Sequence, residues 1–144
     1  MIDISAELIT YLKTKSAVTA IVGSGTSARI YPDQIKEISG VYPCIVIKVT
    51  GGGPDIGIGG KTGIASAVIE TWAFAESSAS RNTLDKTVYA SIAQGNATWG
   101  TTYTTECFPG PAGRDSGADY ATDGSDQCVY WARTVYTVWY STDD

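Results

Sequence analysis

The chain has 144 residues, enough for one domain that buries about 70% of the surface its unfolded form would expose. Fifteen acidic against ten basic residues leave a net charge of −5, with Lys and Arg dispersed, so no basic footprint for nucleic acid is visible. Histidine is absent, which removes the commonest general base, the base of Ser-His and Cys-His pairs, and the commonest transition-metal ligand together.

The opening MIDISAELITYL carries Asp3 and Glu7 where a signal peptide would be basic, and the longest aliphatic runs, such as Cys44-Ile45-Val46-Ile47, are far too short to span a bilayer. The expectation is a chain made and kept in the cytoplasm, with no membrane partner. Ile4, Leu8, Tyr11 and Leu12 recur at helical spacing behind Asp3 and predict an amphipathic helix over about 4–13. A second short turn, with Ser16 as cap, carries Val18, Ile21 and Val22 and ends at Gly23. Arg29-Ile30-Tyr31-Pro32 reads as a short strand closed by proline.

Over 43–50, Ile45, Ile47 and Val49 alternate with Lys48, the pattern of a half-buried strand. A glycine-rich loop is expected over 51–63, then a second strand over 65–75 with Val68, Ile69, Thr71, Trp72 and Phe74, so that the two form an extended antiparallel hairpin. Ser77 to Ser80 offer caps for the clearest helix, in which Leu84, Val88 and Ile92 fall at steps of four until Gly95. A strand near 101–107, a Pro/Gly/Asp loop over 108–127 and a long strand over 128–140 complete the chain. No internal repeat is present. The fold class expected is α+β: one mainly antiparallel sheet of about four to five strands, helices packed on one face, and a long hairpin, in one domain.

The last strand shows Val129, Trp131, Val135 and Trp139 on one parity and Tyr130, Ala132, Tyr136, Val138 and Tyr140 on the other. Helices in so short a chain cover only one face of a sheet. The second face is therefore covered either by long loops or by another subunit.

Candidate chemical motifs fail on inspection. GIGGKTG, Gly57 to Gly63, resembles the end of a phosphate-binding loop, but counting back five positions from Gly60 lands on Asp55 instead of glycine, and a strand follows where a helix should. The dinucleotide fingerprint fails likewise, with Thr62 in place of its third glycine. In the stretch from Asp119 to Tyr130, Asp119, Asp123 and Gly124 occupy positions 1, 5 and 6 of a calcium loop, but Ala121 and Tyr130 stand where ligands are needed; it reads as a weak ion site or a solvated acidic loop. Glu70 reads as a surface strand residue, and Arg133 as a partner for a neighbouring acid. Cys44, Cys107 and Cys128 are an odd set with no C-x-x-C spacing, favouring idle thiols over a zinc site or a Cys107–Cys128 bridge.

The order of segments does carry a resemblance. Ala17-Val-Thr-Ala-Ile-Val-Gly23, Arg29-Ile-Tyr-Pro32, Tyr42-Pro-Cys-Ile-Val-Ile47 and Val68-Ile-Glu-Thr-Trp-Ala73, followed by Ser80 and the helix bearing Leu84, Val88 and Ile92, resemble the tail-terminator (tail completion, head-tail joining) family of long-tailed bacteriophages. The likeness covers the chain to about residue 94; the remainder matches in layout only. Loops 51–63 and 108–127 depart from the pattern.

The resemblance implies a structural virion protein of the tail-neck region, assembled in the host cytoplasm. It would form a ring, a hexamer, that caps the tail tube, ends tube polymerisation and joins tail to head. It implies no catalysis, no cofactor and no metal. Its partners would be further copies of itself, the tail tube protein and a head-completion or stopper protein, with DNA only passing through the channel. Subunit or ring contacts are expected at Pro54, Asp55, Ile58 and Lys61 on the glycine-rich hairpin and at Trp131 and Trp139 on the last strand. The alternatives are another phage neck component, such as a head-completion or connector protein, and a small enzyme working through carboxylates, which the absence of histidine disfavours.

Overall fold

Asp3 caps the first helix: its carboxylate accepts from the Ala6 N–H at 3.2 Å and from the Ser5 hydroxyl at 2.7 Å. The computed structural model describes residues 3–33, 42–57, 60–92, 97–100, 102–120 and 128–141. In chain order these form α1 (Ile4–Lys13), α2 (Ser16–Val22), β1 (Ile30–Pro32), β2 (Cys44–Gly57), β3 (Gly60–Ala75), α3 (Ser78–Ile92), β4 (Ala97–Trp99), β5 (Thr102–Tyr120) and β6 (Cys128–Ser141). The strands make one sheet in the order β1-β2-β3-β6-β5-β4. Among the described residues only the β1–β2 pairing is parallel. The α+β expectation holds; β1 is the expected short strand, and the strand number rises to six through β4, a three-residue strand that pairs with the start of β5.

All three helices lie on one face. Ile4, Leu8, Tyr11 and Leu12 of α1, Val18 and Val22 of α2, and Leu84, Val88 and Ile92 of α3 share one core with Ile45, Ile47, Ile69, Ala73, Tyr136 and Val138 of the sheet. Leu8, Leu12, Val18, Val22 and Leu84 have no exposed surface, each worth about 1.5–3 kcal/mol of burial. The Tyr11 hydroxyl donates to the Ser91 carbonyl at 3.1 Å and ties α1 to the end of α3. From α3, Asp85 accepts from Arg114 of β5 at 2.7 Å and from the Thr134 hydroxyl of β6 at 3.3 Å, fastening the helix across the β5–β6 pair.

Several boundaries differ from the sequence expectation. Lys15, not Ser16, is the N-cap residue of α2, and it makes no side-chain cap bond. Val49 shares the parity of Ile45 and Ile47 but is 41% exposed; it is the last β2 residue in register before the bulge between Val49 and Gly51. The stretch 51–63 is not a loop: β2 runs to Gly57 and β3 begins at Gly60, with a second bulge between Pro54 and Ile56. The loop over 108–127 is also shorter, since β5 continues to Tyr120 against β6 through irregularities at Thr104/Glu106 and Pro109/Arg114. In both places the partner strand extends the ladder through glycine and proline that lack a strand signature of their own, because backbone pairing does not require side-chain alternation. Among the described residues no helix is long and apolar enough to cross a membrane.

Candidate functional site

Alternation along paired strands decides what the helix-free face presents. Cys44, Phe74, Trp131 and Gly117 form one row across β2, β3, β6 and β5, and Val46, Trp72, Arg133 and Asp115 the next; Lys48, Glu70 and Val135 form a third across β2, β3 and β6. Their parity is opposite to that of Ile45, Ile47, Ile69, Ala73 and Tyr136, which meet the helices. Cys44 and Val46 are buried, whereas Trp72, Phe74, Trp131, Arg133, Val135 and Trp139 keep part of their surface open.

Trp72 is the centre of this face. Its ring lies 6.1 Å from Phe74, nearly parallel, and 5.3 Å from Trp131. Two cations flank it, with Lys48 Nζ at 5.0 Å and the Arg133 guanidinium at 5.7 Å from the ring centroid. The indole N–H of Trp72 is buried with no acceptor among the described residues. Arg133 donates from Nε to Glu70 and lies 3.6 Å from Asp115, so the face carries an ion-pair network across three strands. Gly117 lets Trp131 lie across β5: a Cβ there would stand 2.7 Å from the indole.

This arrangement binds better than it reacts. Burial pushes the Cys44 thiol up to about 12, with the opposing effect of Arg29 too small to offset it, so the nucleophilic thiolate is suppressed. Glu70 is committed to Arg133, as the sequence reading of Arg133 anticipated, and is largely buried where a surface strand residue was expected. Cys128 is a free thiol, which removes the Cys107–Cys128 bridge. A half-open aromatic cluster rimmed by paired charges has the make-up of a protein contact surface.

Comparison with known proteins adds the fold. No protein-family model and no curated protein matches the chain. Among solved structures, a chain of the virion of a native gene transfer agent particle superposes with a TM-score of 0.62 at 9% identity, over 95% of this chain and 93% of that one. The two chains share a fold. At that identity the likeness carries the arrangement of elements from end to end and not the residues of a site.

The six residues singled out from sequence fall in two separate places. Pro54 on β2 pairs with Ala65, Asp55 occupies the bulge after it, and Lys61 on β3 pairs with Ile56, so these three sit at the far end of the β2–β3 hairpin; Ile58 lies outside the described residues. Trp131 and Trp139 are both half-buried on the helix-free face, opposite Phe74 and Ser66 respectively. Trp72, Phe74, Arg133, Glu70 and Lys48 join them on that face and were not singled out. Their signal was the equal parity of Trp72 and Phe74 in β3, which becomes a face only once the β3–β6 register is known. Of the proposed calcium loop, 121–127 lies outside the described residues.

Proposed function

We propose that this chain is a structural protein of a phage-like virion, a subunit of the ring that caps the tail tube, ends its polymerisation and joins the tail to the head. The observation that carries the reading is the end-to-end fold likeness to a chain of a gene transfer agent virion. The role is non-catalytic. Its partners are further copies of itself in a sixfold ring, the tail tube protein and a head-completion or stopper protein, and DNA passes through the channel without being held by the acidic chain.

The helix-free aromatic face and the β2–β3 hairpin are the two surfaces suited to those contacts. The face offers Trp72, Trp131 and Trp139 with paired charges around them. The hairpin extends the sheet, carrying Pro54, Asp55 and Lys61 at its end. The experiment is a reconstruction of the particle that encodes this chain: a ring of it at the head-proximal end of the tube is the expected result, and its placement elsewhere would overturn the proposal.

A further inference from the structure

The four long strands β2, β3, β6 and β5 are mutually antiparallel neighbours, so β2 and β5, the outermost of the four, run in opposite directions. Each is only briefly covered on its outer side. β1 pairs with Ile45 to Ile47 alone, and β4 with Thr102 to Thr104 alone. Among the described residues no strand pairs with the outer edge of β2 beyond Lys48 or of β5 beyond Glu106, where the Gly117 carbonyl accepts from the Arg81 side chain at 3.3 Å. Strand edges left open over such lengths are templates for pairing with another chain, and proteins that stay monomeric shorten or cover them.

We infer that β5 of one copy pairs antiparallel with β2 of the next, so that the sheet continues from subunit to subunit around the ring. This rests on the ring reading above and names the contact that closes it. Three observations favour a second copy as the occupant. Rotation about a ring axis brings the right edge of one sheet to the left edge of the next, and because β5 and β2 run oppositely, the joint continues the antiparallel alternation already present inside each subunit. Pro54, Pro109 and Pro111 lack an N–H, which confines pairing to the proline-free stretches 48–53 of β2 and 112–120 of β5. Charge is complementary along these edges: Arg114 is taken up by Asp85, so the acidic Asp115 of β5, half-exposed beside Arg133, stands against the basic Lys48 of β2.

The two stretches lie at different heights on the sheet, since β1 occupies the start of β2 and β4 the start of the oppositely directed β5. Joining them therefore requires neighbouring sheets to be staggered, which is the geometry of strands tilted to the axis of a closed sheet.

Hydrogen exchange of the full chain, read by mass spectrometry in the dilute monomer and in assembled rings checked by electron microscopy, tests this directly. Backbone amides in 48–53 and 112–120 should exchange at least about tenfold more slowly in rings than in monomers, while those of α1 and α2 stay unchanged. Rings whose edge amides exchange as fast as in the monomer would overturn the edge joint and leave the ring reading standing. Edges already protected in the monomer would overturn it too, showing that the chain covers its own edges. Absence of rings at every concentration would overturn both readings.

Discussion

Gly52 and Gly51 sit side by side in β2 and have opposite requirements. Gly52 has φ 122°, and a Cβ there would meet the Ser66 carbonyl oxygen and come within 2.6 Å of Ala67 Cα in the partner strand. Gly51 would place its Cβ 3.9 Å from Val68, an ordinary contact. Gly52→Ala is thus expected to cost about 1–3 kcal/mol and Gly51→Ala about 0.5 kcal/mol or less, as measured by urea denaturation. The second residue-scale expectation concerns Cys44. Its folded pKa is raised from 9.0 to about 12, so the contribution of the neutral buried thiol is fully present below pH 9 and is lost as pH rises toward 12. At pH 8 a thiol reagent should label Cys44 only after denaturant unfolds the chain; rapid labelling of the folded protein at that site would contradict its burial.

At the scale of elements, sequence periodicity located the helices well and the strand ends poorly. Ile4, Leu8, Tyr11 and Leu12, and Leu84, Val88 and Ile92, mark buried stripes because helix burial leaves a pattern every three to four residues within one segment. The ends of β2 and β5 left no such mark: Gly51 to Gly53 and Arg114 to Gly117 are held by their partners' backbones, and a ladder formed with a distant strand is invisible locally. The candidate site was legible to the same extent. Trp131 and Trp139 stood out as one parity of β6, but their neighbours Trp72 and Arg133 required the register between β3 and β6. Reading 51–63 as hairpin strands sharpens the expectation for its end. Replacing Gly57 to Lys61 with an Asn-Gly turn removes the tip and preserves the core pairs Ile45↔Ala73 and Ile47↔Thr71. The variant should melt within a few degrees of the parent, about what a change of 1 kcal/mol produces, and fail to form or join rings; normal tails built from it would remove the hairpin from the assembly contacts.

At the scale of the molecule, a helical layer covers one side of a six-stranded sheet and leaves the other side aromatic and half-open. Among the described residues the outer long strands, β2 and β5, are covered on their far sides only by the three-residue β1 and β4. In the proposed ring, that face and the outer edges of β2 and β5 are the surfaces available for association, while the helices complete the core. An acidic balance of −5 suits a ring that surrounds DNA without retaining it. The most direct measurement is a density map of the virion that encodes this chain. A closed ring of six copies between the last layer of tube protein and the head is the predicted result. Finding the chain along the tube, at the distal tip, or missing from the particle would contradict the account.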